Sequence, residues 1–219
     1  MDKIRKLNTG INDLDKMLGG LVNGEIVCIA GRRAMGKTGL ALSIVKRACI
    51  KEGKTCLYFA LAEDKAHIIK RLPDAGEAPL YINDRAFSVK KIKKACKKLG
   101  KKNKIDLIVI DYLQLIWSKR GYLTRVSNKL RKLARKLDCP IIVLCQLDYR
   151  IGSREDNRPV LSDLVHTGAM NDYADKVLFL HRDDYYNIDS DKKGILEVFV
   201  AKNVYGRNIG SVELAYKSN

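Results

Sequence analysis

The sequence has no apolar run long enough to span a bilayer, and its opening residues, MDKIRKLNTG, lack the apolar stretch of a secretory signal. Neither a helical membrane protein nor a secreted one is expected, and the expected location is cytoplasmic. The six cysteines form no CxxC pair, and the three histidines stand at no spacing that would complete a metal site with them. Most of the cysteines sit within apolar runs such as EIVCIA and PIIVLC, so they read as small core residues in a reducing compartment. There is no internal repeat, no low-complexity stretch and no linker, which makes residues 1–219 a single expected domain. Acidic residues are scarce: 25 Asp and Glu stand against 42 Lys and Arg, a formal net charge of +17. That surplus suggests a polyanionic partner, nucleic acid before membrane; the alternative is a basic protein with a solvated surface.

What the sequence does have is a series of short, β-branched apolar runs. EIVCIA from Glu25, TCLYFAL from Thr55, DLIVID from Asp106 and PIIVLC from Pro140 are almost continuously apolar, as central parallel strands covered on both faces must be. KVLFLH from Lys176, ILEVFVA from Ile195 and SVELAY from Ser211 follow, joined by close turns that predict antiparallel edges. Helical periods lie between the runs. Leu40, Ala41, Ile44, Val45, Ala48 and Cys49 form one apolar face. Ser88 can cap a helix with Val89, Ile92, Ala95, Cys96 and Leu99 turned inward, and a third stripe runs from Leu123 to Leu137. The pattern predicts an α/β domain: a largely parallel twisted sheet flanked by helices, with antiparallel C-terminal edge strands.

The first of these runs leads into Gly31, Arg32, Arg33, Ala34, Met35, Gly36, Lys37 and Thr38, which fit G-x-x-x-x-G-K-[ST] in full, between a predicted strand and a predicted helix. The glycines let backbone N–H groups turn toward phosphates, and the helix N-terminus adds the positive end of its dipole. Lys37 reaches β- and γ-phosphates and the Thr38 hydroxyl ligates Mg²⁺ in such loops, so ATP and Mg²⁺ are the expected ligands. DLIVID then supplies Asp111 at the end of a buried strand, where a second metal-shell residue is needed; the alternative is a turn cap.

Beyond the phosphate loop, TGINDLDKMLGGL, IDYLQL from Ile110, CQL from Cys145, RPVLSDL from Arg158 and ADKVLFLHRDDYY from Ala174 together resemble the C-terminal motor domain of DnaB-type replicative helicases. The resemblance runs in order along essentially the whole chain. RecA-like ATPases of the KaiC and RadA types share the early motifs but not the later set. The resemblance implies a RecA-like P-loop NTPase core that assembles as a ring, hexameric in the family, around single-stranded DNA and translocates by ATP hydrolysis. Carried over by position, Gln146 senses the γ-phosphate, Arg71 packs by the nucleotide base, and Lys202 reaches into a neighbouring subunit's site.

Three departures from the family pattern accompany the match. The catalytic glutamate of a pattern like FSLE falls, without a gap, on Ala62; Glu63 lies one residue later in FALAED and is the provisional base that orients water. A one-residue shift in an extended strand reverses a side chain, so Glu63 serves only where the strand end bends, and a solvated loop acid beside Asp64 is the alternative. The arginine finger expected two residues after Lys202 falls on Val204, with Arg207 as the replacement candidate in VYGRN. The chain is also expected to lack the family's N-terminal domain and linker helix, and to be shorter than the family norm between Arg71 and IDYLQL. Without the linker helix a monomer is the alternative to a ring.

The charge is concentrated. Residues 90–104 carry nine lysines and no acid, and eight Lys or Arg lie between Asp111 and Asp138, again with no acid. The first run reads as the solvated face of an amphipathic helix. The second includes WSKRGYLTR, in the position of a loop that lines the central channel in the family. The DNA-binding candidates are therefore Lys119, Arg120 and Arg125, with Arg150 and Arg154 from a second loop and the backbone at Gly168. His67, His166 and His181 read as structural or loop residues. The leading reading is a DNA helicase motor. The others are a nucleotide-gated DNA-binding paralogue with weak ATPase, and a KaiC- or RadA-like ATPase.

Overall fold

The computed structural model describes residues 6–116, 123–167, 169–206 and 208–216. The four near-continuous runs become strands β3 (Ile26–Gly31), β4 (Cys56–Ala60), β6 (Leu107–Asp111) and β7 (Ile141–Gln146), and the later ones β8 (Lys176–His181), β9 (Ile195–Asn203) and β10 (Gly210–Ala215). With β5 (Leu80–Asn83) they form one eight-stranded sheet in the order β10-β9-β8-β3-β7-β6-β4-β5. The six strands from β8 to β5 run parallel, and β9 and β10 add antiparallel edges, as the turns between them predict. A separate two-stranded sheet pairs β1 (Lys6–Leu7) with β2 (Leu21–Val22), around α1 (Asn12–Leu18).

Both faces of the sheet are covered, which is why its central strands are apolar throughout. Along β3, Val27 and Ile29 pack with Leu40, Ala41, Ile44 and Val45 of α2 (Lys37–Lys46). Ile26, Cys28 and Ala30 join the opposite layer, with Ile92, Cys96 and Leu99 of α4 (Val89–Gly100) and Val126, Leu130, Leu133 and Ala134 of α5 (Leu123–Leu137). Each fully buried leucine or isoleucine is worth about 1.5–3 kcal/mol relative to exposure. Ser88 caps α4 by accepting from the Lys91 N–H, as its position before the apolar stripe predicts. All six cysteines are buried free thiols. Among the described residues no helix is long and apolar enough to cross a membrane.

Neither the apolar runs nor the helical periods of the sequence mark the two-residue strands, α1, β5, α3 (Lys65–Lys70) or α6 (Met170–Tyr173). Each is short, and β5 reads LYIN, with neither apolar continuity nor clean alternation. Its pairing with β4, from Cys56 opposite Leu80 to Phe59 opposite Asn83, makes it a strand.

Candidate functional site

The parallel strands bring their C-terminal ends to one edge, where a doubly covered sheet binds its ligands. Register aligns the residues there: Gly31 lies opposite Gln146, and Ala60 opposite Asp111. Between β3 and α2 the loop turns through Ala34 (φ 63°) and Gly36 (φ 84°), both in the left-handed region. At Gly36 a side chain is excluded twice over, because a Cβ would also stand 2.9 Å from Cε2 of Tyr216.

Lys37, buried to 9% exposure, curls back over the loop, its Nζ donating to the carbonyls of Gly31 (2.9 Å) and Arg32 (2.7 Å). Burial lowers its pKa from the usual lysine value to about 8, against the opposing pull of Asp111. Thr38 Oγ1 donates to Asp111 Oδ2 (2.8 Å), and Tyr58 donates its phenolic hydrogen to the same oxygen (2.7 Å). Burial, then the Asp111 charge, pushes the Tyr58 phenol well above its ordinary range, so it stays a donor. Gln146 is held from below: its N–H donates to Gln114 Oε1 (3.3 Å) and its carbonyl accepts from Gln114 Nε2 (2.7 Å).

Beside the loop opens a cleft of about 840 Å³, lined by Ile11, Ala34, Gly36, Leu40, Arg71 and Tyr216 among others. Arg182 stacks its guanidinium 4.0 Å from the Tyr216 ring centroid and donates to the Ala34 carbonyl (3.5 Å), while Asp184 accepts from its Nε (3.0 Å). On the other flank Arg32 lies over the rings of Tyr185 (5.7 Å) and Tyr186 (5.3 Å) and against Gly152. The RDDYY stretch thus braces the phosphate loop from two sides. Arg71, which lines the cleft, donates from Nη1 to Glu63 Oε1 (3.4 Å), and the neighbouring Ala62 donates its N–H to the Asp111 carbonyl (3.1 Å).

The other sequence candidates are dispersed. Lys202 on β9 donates from Nζ to the Asn171 carbonyl (2.6 Å), and Val204 follows on an exposed turn. Arg125 is exposed in the first turn of α5. Arg150 and Arg154, read as DNA contacts, are engaged within the chain. Arg150 pairs with Asp148 (3.0 Å); Arg154 forks onto both oxygens of Asp163 (3.1 and 3.0 Å) and donates to the Arg158 carbonyl (2.8 Å). Lys119, Arg120, Gly168 and Arg207 lie outside the described residues. His67 pairs with Asp64, and His181 is buried and stacked on Tyr186. The sequence reading passes over Tyr58, Gln114, Arg182 and Tyr216. Gln114 and Arg182 lie within the quoted IDYLQL and RDDYY stretches; Tyr58 leaves one trace, a phenol in an otherwise apolar strand.

The residues at hand fit a magnesium nucleotide. Among the described residues no cluster of three or more His, Cys, Asp or Glu forms a closed metal site. The Thr38 hydroxyl with the Asp111 carboxylate is the sparse donor set typical of magnesium, which keeps waters and phosphate oxygens as its other ligands.

Comparison with known proteins agrees with this geometry. The family model described as "DnaB-like helicase C terminal domain" matches residues 6–75 and 63–219. Replicative DNA helicase DnaB of Geobacillus stearothermophilus is 32% identical over 251 aligned residues, covering 98% of this chain and 55% of the relative. The chain therefore spans about half the length of the curated relatives it matches. Among solved structures, one described as an ATPase domain superposes with a TM-score of 0.89 at 30% identity, covering 97% of this chain and 88% of that one. A DnaB-like replicative helicase, described together with its interactions with primase, gives 0.91 at 30% identity over 99% of this chain and 61% of that one. Fold, phosphate loop and sequence agree: the chain belongs to the family of DnaB-like helicase C-terminal domains, with a RecA-like nucleotide-binding core.

Proposed function

We propose that this chain is the ATP-hydrolysing motor domain of a DnaB-type replicative helicase, acting on single-stranded DNA in the cytoplasm. The observation that carries the reading is the convergence of Lys37, Thr38, Asp111 and Gln146 at one end of the parallel sheet. The backbone N–H groups of residues 31–38 cradle the phosphates. Lys37 leaves the carbonyls of Gly31 and Arg32 for the β- and γ-phosphate oxygens. Thr38 and Asp111 hold Mg²⁺, which when bound neutralises charge on those phosphates. Arg71 and Tyr216 line the space for the base. Glu63, held by Arg71, accepts a proton from the attacking water, and Gln146 meets the γ-phosphate. Lys202 and Arg207 act across a subunit interface in a homo-oligomer. Lys119, Arg120, Arg125 and the backbone at Gly168 contact the strand; Arg150 and Arg154 would first have to leave Asp148 and Asp163.

Steady-state ATP hydrolysis with Mg²⁺, with and without single-stranded DNA and over a range of protein concentrations, tests the proposal. A rate that rises with both DNA and protein supports a cooperating motor. A flat, near-zero rate alongside measurable ATP binding favours the second reading, a nucleotide-gated DNA-binding module, which rests on Ala62 and Val204 at the positions of the expected glutamate and finger.

A further inference from the structure

The far end of the sheet carries a feature unrelated to the nucleotide site. Strand β5 is the terminal strand, separated from β3 by β4, β6 and β7, hence by roughly 19 Å at the usual strand spacing. Between β5 and α4 lies a groove of about 600 Å³. Its floor is aliphatic: Leu57 of β4, Ala86, and Ala95 and Leu99 of α4. Its rim is cationic: Lys91, Lys94, Lys98 and Lys102 all line it. The spacings of three and four set Lys91, Lys94 and Lys98 in a single stripe along one side of α4, and Lys102 follows just past the end of the helix. All four are exposed, none has an ion-pair partner among the described residues, and no acid lines the groove.

A solvated helix face accounts for lysines that point away from the protein, and Lys90, Lys93 and Lys97 fit that description. It does not account for a lysine stripe that borders an open apolar trough. We propose that this groove is a docking site for a short acidic segment of a partner protein carrying one or two apolar anchor residues, the anchors on the aliphatic floor and the carboxylates on the lysine stripe.

Charge complementarity and the chemistry of the floor select this occupant. A second copy of the chain, itself at a net charge of +17, is a poor charge match for this lysine rim, whichever face it uses in the proposed homo-oligomer. Single-stranded nucleic acid would satisfy the lysines but has no aliphatic group for the floor. It binds instead by stacking bases on aromatic faces, and the groove offers one phenol, Tyr81, whose oxygen already accepts from Asn103 (3.1 Å).

The test uses the full chain and fluorescence anisotropy at physiological salt. The probes are a labelled Glu/Asp-rich peptide with Leu and Phe anchors, the same peptide with serine at both anchors, and an oligo(dT) of equal length. The anchored acidic peptide should bind saturably, and the serine version at least about tenfold more weakly. The triple change Lys91→Glu, Lys94→Glu and Lys98→Glu should weaken the anchored peptide at least about tenfold while ATP binding is unchanged. Ala95→Trp, which fills the floor without altering charge, should block the peptide and leave ATP binding intact, so a folding defect in the triple variant does not decide the matter. No saturable peptide binding, or equal binding of the serine peptide, overturns the proposal. Oligo(dT) binding that the triple change abolishes, in place of peptide binding, assigns the face to nucleic acid and also overturns it.

Discussion

Thr38 and Asp111, 73 residues apart in the chain, meet through a 2.8 Å hydrogen bond from hydroxyl to carboxylate. Tyr58 donates to the same carboxylate oxygen from the neighbouring strand. Two elements that a nucleotide site must bring together, the start of α2 and the end of β6, are thus tied directly to each other. The third, Tyr58 on β4, fixes the carboxylate from beneath, where water does not reach.

That arrangement makes Tyr58→Phe informative. The change removes a buried hydrogen bond to a charged group, typically worth about 1.5–3 kcal/mol, and leaves the ring in place. Urea unfolding should show a stability loss of that order, and the apparent magnesium requirement for nucleotide binding should rise. Unchanged stability and magnesium dependence together would mean that the phenol does not support Asp111.

Lys37 sets the expected response to pH. Its pKa is lowered to about 8 from the ordinary 10.5, chiefly by desolvation. Between those values the unfolded chain holds a proton that the folded one has lost, so the Lys37 contribution to stability rises with pH across that window and is at its lowest below it. Phosphate binding has the opposite preference, because it needs the ammonium form. Nucleotide affinity should therefore decline above pH 8, and binding at pH 9 should take up close to one proton. Calorimetry in two buffers of different ionisation enthalpy measures the uptake directly. Lys37→Met should abolish both the affinity and the proton signal, and a wild-type enthalpy independent of buffer would contradict the assignment.

The frame of this site is legible in the sequence because the frame is local. A phosphate loop is eight consecutive residues, and the buried strand that ends in Asp111 is visible as an apolar run. The braces are non-local and leave no such trace. Nothing in the local pattern at Tyr216 indicates that Arg182 will stack on it, or that its ring will fill the space beside Gly36. The same blindness explains the basic loops. Arg150 and Arg154 look like free cations in a basic sequence, but Arg154 is matched by Asp163, nine residues on, in a fork that only the folded loop creates. Strand β5 escapes for a related reason: its four residues carry little strand signal, and the ladder to β4 defines it.

The Arg182–Tyr216 stack borders the cleft beside the phosphate loop and should act on binding rather than on chemistry. Tyr216→Ala removes a ring that closes that cleft, so KM for ATP should rise about tenfold, the scale of one lost stacking contact, with kcat nearly unchanged. Gly36→Ala should be far more damaging, since the new methyl group meets the Tyr216 ring and the backbone conformation is one that alanine disfavours. If Tyr216→Ala instead lowers kcat at constant KM, the ring belongs to the reacting end of the site.

Turnover rests on the choice between two adjacent positions. Glu63 accepts from Arg71, a residue that lines the cleft, whereas Ala62, the position of the glutamate in the family pattern, carries no acid and binds the Asp111 carbonyl through its backbone. If Glu63 orients the attacking water, Glu63→Gln should lower the hydrolysis rate about 10²–10⁴-fold while nucleotide affinity survives, as expected for loss of a general base. Ala62→Glu should then bring no gain, because it crowds a site that already has its base. The opposite pair of results, an indifferent Glu63→Gln and an Ala62→Glu variant faster than wild type, would mean that the chain binds nucleotide on an intact loop but lacks the acid that makes the loop a motor. Single-turnover hydrolysis of bound ATP, measured for both variants at saturating Mg²⁺, separates these cases without interference from product release.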